Sequence, residues 1–244
     1  MKTRIILSLA TLLSIITAVG QTGSEKSVSV IQYLYVLPKQ GMSEKLEVAL
    51  KAHDRKFHPE GLYVSSLSKV DFGQKAGWFV LVMGPTTYAA FDKPPDLEIA
   101  HYTDWNNNVL PLVAEFGGMG LLNYNSDLSY GMDIFKKAPH YEIWSISIKP
   151  GQYKRFLTLV EKFKPVYEAK KNTAFLVFEN PVHTTKDADF AFIWSFNSYE
   201  DWAKDDGTKT SYEKIYGEGS WKKMLDEWVE TVENYNSELR TFDR

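Results

Sequence analysis

His53 and His101 are the residues of this chain whose type and placement best fit chemistry. Each falls on an otherwise apolar helical stripe: His53 among Leu46, Ala49, Leu50 and Phe57, and His101 one turn before Trp105. An imidazole titrates near neutral pH, so one held in a pocket can act as general base, ligand anchor or haem ligand. The competing reading of each is structural: a core histidine satisfied by a backbone carbonyl, or a partly exposed residue at a helix start. Trp78, Trp105, Phe192 and Trp194 are the candidate ligand-binding aromatics, since such side chains bury large apolar areas around a small ligand. No metal-binding set is expected. His53 and His58 are five apart, about 140° around a helix of 3.6 residues per turn, and so do not share a face. His101 and Asp104, three apart, give two ligands and not a site. His140, before a strand, and His183, at a hairpin tip, read as solvated.

Other chemistries find no support. The chain has no cysteine, which excludes disulfides, thiolate metal sites and cysteine nucleophiles. Neither a G-x-S-x-G elbow nor an H-E-x-x-H helix occurs. Gly117-Gly118-Met119-Gly120 follows a helical pattern with no Lys-Ser/Thr behind it, and reads as a helix stop and loop. Asp205-Asp206-Gly207 reads as a turn. With 28 basic against 31 acidic residues and no basic cluster, nucleic acid and anionic membrane are not expected partners.

The elements that must position these residues come in one order, twice. Strands are expected over Val28 to Leu37, Leu62 to Val70 and Trp78 to Met83, with a last one within Leu128 to Phe135. Between them lie a helix that Ser43 can cap and a second helix carrying His101, Trp105, Val109, Leu112 and Phe116. Beyond residue 135 the order repeats. Strand Tyr141 to Ile148 precedes a helix striped by Phe156, Leu159, Val160, Phe163 and Tyr167. The hairpin Ala174 to Glu179 with Phe190 to Phe196, a helix from Trp221 to Val232 and a strand Leu239 to Asp243 follow. Phe163 stands where the first half has His53. Two short matches share one spacing of 111 residues: Tyr88 to Lys93 with Tyr199 to Lys204, and Tyr124 to Leu128 with Tyr235 to Leu239. The expected fold is therefore α+β: two tandem ferredoxin-like β-α-β-β-α-β modules, residues 28–135 and 136–244. Phe190, Phe192, Trp194 and Phe196 alternate along one strand, which makes a sheet apolar on both faces. Its second partner is expected to be the sheet of the sister module, closing a pseudo-dimeric barrel. In this reading the Tyr-Asn pairs at 124 and 235 set helix-to-strand corners.

The N-terminus reads as a leader. Lys2 and Arg4 precede the apolar run Ile5 to Val19, which ends in Ala18-Val19-Gly20, the pattern of a cleaved signal peptide over residues 1–20. Residues 21–27 form a polar lead-in. The mature chain is expected to be periplasmic or secreted. No later segment approaches the roughly 20 apolar residues of a membrane span.

Two ferredoxin-like units joined through their sheets resemble the dimeric α+β barrel superfamily, here in a tandem-repeat form. The segment Ser198-Tyr199-Glu200-Asp201-Trp202 is similar to a stretch that many members carry after the third strand. That superfamily includes antibiotic-biosynthesis-type and haem-degrading monooxygenases and NIPSNAP-like proteins. The resemblance to the haem-degrading members implies a haem-ligating histidine on the second helix, where His101 stands. Gln32 is the nearest polar residue on the first strand, where those enzymes carry an asparagine.

The function expected from all this is that of an exported soluble protein holding a small apolar or aromatic molecule in a barrel pocket, with one chain sufficient to close the barrel. A monooxygenase-like enzyme, cofactor-independent or haem-dependent and using His53 or His101, is the second reading. A non-catalytic structural or interaction protein is the third.

Overall fold

The computed structural model describes residues 29–93, 98–183 and 187–243. The expected signal peptide (1–20) and lead-in (21–27) lie outside the described residues. The first half runs β1 (Val30–Pro38), α1 (Ser43–Phe57), β2 (Ser65–Phe72), β3 (Phe79–Thr86), α2 (Ile99–Asp104) and β4 (Val113–Tyr124). A short helix α3 (Met132–Phe135) leads into the second half. There β5 (His140–Ile148) is followed by a broken helix, α4 (Tyr153–Val160) and α5 (Phe163–Lys170). Then come β6 (Phe175–Glu179), β7 (Phe190–Phe196), α6 (Tyr199–Trp202), α7 (Thr208–Tyr216), α8 (Ser220–Thr231) and β8 (Val232–Asp243).

Each half has the ferredoxin-like strand order, with its fourth strand beside its first, then its third and its second: β4-β1-β3-β2 and β8-β5-β7-β6. The two sheets join edge to edge into one closed antiparallel barrel of eight strands. One seam is long, from Leu67 opposite Asp243 to Phe72 opposite Leu239. The other is short, Asn123 opposite Glu179 and Tyr124 opposite Phe178. Closure gives every strand of the described residues a neighbour on both sides, although most of β4 lies beyond its short seam with β6. No helix of the described residues is long and apolar enough to cross a membrane.

Because side chains alternate along a strand, every strand has an outward and an inward set. Outside, Leu34, Val36, Leu67 and Phe79 pack on Leu46 and Leu50 of α1 and on Val109. In the second half Phe190 and Phe192 pack beneath the helices on Phe156, at 4.9 and 5.8 Å between ring centroids. The expected aromatic alternation on β7 is therefore real, but it faces the helices. The inward set of β7 is Ala191 and Ile193.

Three further expectations are corrected. The last strand of the first half is not within 128–135. It starts at Val113, takes in Phe116 and runs through Gly117, Gly118 and Gly120. Gly117 and Gly120 make room for aromatic rings rather than stopping a helix. A Cβ on Gly117 would lie 2.3 Å from Cζ3 of Trp78, and one on Gly120 would lie 2.5 Å from the hydroxyl of Tyr33. Ser43 is the first helical residue, and Met42 takes the cap position without a side-chain bond. Finally, the 111-residue spacing relates β3 to β7 and the turns that follow them, but not the ends of the halves. Tyr124 closes β4, with Asn125 Oδ1 accepting from the backbone of Asp127 and Leu128 at 3.1 Å. Tyr235 and Asn236 lie inside β8. The extra helix before α8 has shifted the later register.

Candidate functional site

The barrel encloses a cavity of about 930 Å³. It is hollow because several inward residues of the second half are short: Ser145, Ser147, Ala191, Asn234 and Asn236. An eight-strand barrel is narrow enough that larger side chains would fill it. Ile143, Ile193, Leu122 and Phe178 form an apolar wall.

A polar network lies on the cavity's lining. Arg240, only 4% exposed, donates to Glu238 Oε2 from Nε at 3.0 Å and from Nη2 at 2.7 Å. The Tyr35 hydroxyl donates to the same oxygen at 3.0 Å and accepts from Arg240 Nη2. Lys75 Nζ stands 3.7 Å from the Tyr35 ring centroid and donates to the Gly117 carbonyl at 3.0 Å. Ser68 Oγ and the Tyr141 hydroxyl meet at 2.8 Å. Burial, with Glu238 adding and Arg240 opposing, pushes the Tyr35 phenol well above its ordinary range. It is thus a hydrogen-bond donor and not a base. Burial, reinforced by Arg240 and opposed by Glu238, pulls the Lys75 ammonium down. Arg240 is paired with Glu238, and Lys75 stands nearby under the influence of both Glu238 and Glu115, so this part of the lining offers donors to a neutral hydrogen-bonding or anionic group.

None of the site residues expected from the sequence lines this cavity. Phe192 is buried beneath the helices, and Trp194 donates from Nε1 to the Tyr167 hydroxyl at 2.7 Å in the same layer. Trp78 packs on the cluster of Tyr35, Val70 and Val80. Trp105 packs on His53 at 5.1 Å and on Phe116 at 6.5 Å between centroids. His140 is half-buried rather than solvated, stacked on Phe196 and hydrogen-bonded through Nδ1 to Thr241 Oγ1 at 2.7 Å. His183 is largely exposed, 3.6 Å from Asp189.

His53 and His101 do meet, on the helix side of the first sheet, and His58 meets them. His101 Nε2 is 3.1 Å from His53 Nε2 and 3.0 Å from His58 Nε2. His53 and His101 are buried, at 2% and 5% exposure. His53 comes from the buried stripe of α1, and His101 from α2, which a π-helical turn over Trp105–Val109 continues. Behind the cluster, His53 Nδ1 bonds Asp104 Oδ2 at 2.8 Å and His58 Nδ1 bonds the Tyr63 carbonyl at 2.9 Å. The hydrogen bond from His53, aided by Asn108 and Lys56 against the effect of burial, holds the Asp104 carboxyl below its ordinary range. The 140° separation expected between His53 and His58 fails because His58 is not helical: it caps α1 with φ −130° and ψ 34°. Asp104 pairs with His53 rather than with His101.

Sequence reasoning missed His58, Arg240, Glu238 and Tyr35. A signal for His58 was present, since it precedes Pro59 and a residue before proline is pushed out of the helical region. Glu238 and Arg240 are two apart in a strand, so they share a face. Which face that was depended on the register of β8.

No family model matches the sequence, and no curated protein matches it. Solved structures match the fold. A proposed monooxygenase from Lactobacillus acidophilus superposes with a TM-score of 0.54 at 11% identity, over 89% of this chain and 95% of that one. A proposed monooxygenase from Fusobacterium nucleatum gives 0.56 at 10% identity, over 90% and 94%. The chlorite dismutase of Candidatus Nitrospira defluvii gives 0.55 at 8% identity, over 90% and 92%. At such identities the likeness establishes the α+β barrel and nothing of the chemistry.

Proposed function

We propose that this protein binds a small, largely apolar or aromatic molecule carrying a hydrogen-bonding or anionic group inside its barrel, and that it does so outside the cytoplasm after loss of residues 1–20. The observation that carries this reading is the cavity: about 930 Å³ with an apolar wall and the buried Tyr35, Glu238 and Arg240 network on its lining. A concave, mostly apolar site with a few fixed polar groups is how proteins hold small ligands. One chain closes the barrel, so a monomer suffices. Oxygenase-type chemistry on the bound molecule is a second reading, supported by the shared fold of the proposed monooxygenases. Under it His53 and His101 are not the base, because neither lines the cavity.

The test uses 1-anilinonaphthalene-8-sulfonate, an aromatic anion that fluoresces in apolar sites. The wild-type protein should bind it at one site. Ala191→Phe, which puts a ring into the cavity, should weaken binding at least about tenfold, close to 1.4 kcal/mol, while the thermal midpoint is kept or raised. Equal binding by the two proteins would sink the reading.

A further inference from the structure

We propose that His53, His58 and His101 bind one divalent transition-metal ion through their Nε2 atoms, on the helix side of the first sheet and apart from the barrel cavity.

The ring nitrogens of His53 and His58 are oriented toward one centre. His53 Nδ1 faces the Asp104 carboxylate and His58 Nδ1 faces the Tyr63 carbonyl. Both partners are acceptors, so both Nδ1 atoms donate, and in the neutral rings both Nε2 atoms carry the lone pair. Those two lone pairs point at one atom, His101 Nε2, at 3.1 and 3.0 Å. A cation at the point of convergence satisfies all three nitrogens at once.

The spacing of the three nitrogens fits one ion. One ring nitrogen from each histidine lies within 4.8 Å of the others. Around a tetrahedral ion with metal–nitrogen bonds of about 2.0–2.1 Å, ligand nitrogens stand roughly 3.3 Å apart. Two of the three separations are already close to that value, and the third is no more than 4.8 Å.

The surrounding shell suits a metal site. A ligating histidine is normally oriented by a carboxylate or a carbonyl on its other nitrogen, and here Asp104 and Tyr63 supply one of each. Asp104 is in turn fixed by Asn108 Nδ2 at 3.0 Å. The rings of Phe57 and Trp105 pack against His53 at 4.9 and 5.1 Å, which limits water and holds the imidazole in place. The fold does not require histidines here. The second half carries Phe163 at the aligned position, packed on Phe175 and Tyr212 in an ordinary apolar layer.

Three neutral imidazoles select among ions. They favour Zn²⁺, Cu²⁺, Ni²⁺ or Co²⁺ and disfavour Mg²⁺ and Ca²⁺, which want oxygen ligands. Three protein ligands leave a fourth position for water or a small ligand. Imidazoles converging this closely leave no plane in which a porphyrin could lie, so the site is not a haem site.

The experiment is metal titration of the chelator-stripped full chain, with Zn²⁺ by calorimetry, Mg²⁺ as control, and Co²⁺ followed by visible absorption. The expected result is one Zn²⁺ per chain, no Mg²⁺ heat, and the d–d bands of a low-coordinate Co²⁺ site. His58→Gln and His101→Gln should each weaken Zn²⁺ at least about a hundredfold, and Asp104→Asn roughly 10- to 100-fold through loss of orientation. His53→Phe, which restores the residue of the second half, should fold with unchanged circular dichroism and lose the Co²⁺ bands. His183→Gln should bind as wild type. No stoichiometric Zn²⁺ binding by the folded protein, or unchanged binding by the His58, His101 and His53 variants, would overturn the proposal. These outcomes are independent of the fluorescent-anion test on the barrel.

Discussion

Arg240 shows how much one buried residue can commit a barrel. Its guanidinium is 4% exposed and sits beside Glu238 and Tyr35, with the Tyr141 ring 5.7 Å away. Removing both charges of such a pair together is often nearly neutral, whereas removing one leaves the other unpaired in a low-dielectric interior. Arg240→Met should therefore lower unfolding stability by about 3–5 kcal/mol, read from the urea midpoint at unchanged slope. Adding Glu238→Gln to that variant should recover much of the loss. If Arg240→Met proves as stable as wild type, water from the cavity already solvates Glu238, and the network contributes to ligand recognition alone.

At the level of elements, β4 tests how a strand accommodates glycine. Gly117 and Gly120 face Trp78 and Tyr33 at distances no Cβ tolerates. Gly117→Ala should destabilise by about 1–3 kcal/mol through overpacking. In a Trp78→Leu background the same change should cost nothing or stabilise, and a double-mutant cycle on thermal midpoints measures the difference. A Gly117→Ala penalty that persists without Trp78 would assign it to the backbone instead. The same strand explains what the sequence could not show. Alternation and breakers located β1, β2, β3 and β5 to within a few residues, and the β6–β7 hairpin closely, because most of those strands are rich in β-branched and aromatic residues and turn residues bound them. β4 was hidden because Gly117 and Gly120 make room for the rings of Trp78 and Tyr33, information that is not local to the segment. The inward and outward faces of β7 were also ambiguous, because two apolar layers meet across one strand and period-two alternation cannot say which layer is which. Of the histidine cluster, two members were legible as polar residues on apolar stripes. The third was discarded by extending helical geometry one residue past the end of α1.

For the molecule as a whole, the closed barrel predicts what each half would do alone. The second half, residues 136–244, has β6 and β8 as edges, and in the full chain these pair with β4 and β2, the fourth and second strands of the other half. A second copy of the same half offers the same two strands in the same places, so β6 can pair with β8 of its copy around a two-fold axis. Its inward face, with Tyr141, Ile143, Leu176 and Ile193, also needs cover. The isolated half should therefore be a dimer, with twice the chain mass by light scattering, and a folded monomer would show that closure is not what stabilises it. That dimer should be weaker than the intact protein, for a reason found in its lining. The first half supplies Tyr35 to the Arg240 and Glu238 pair, whereas the aligned residue of the second half is Ser145, too short to reach. A symmetric barrel would thus bury two such pairs with neither tyrosine. Dilution should dissociate it in a range where the full chain stays folded. The two halves differ where chemistry is concentrated, with the histidines and Tyr35 in one and the charged pair in the other. Joining them in one chain is what brings Tyr35 to Glu238 and Arg240 while leaving the histidine cluster on only one side.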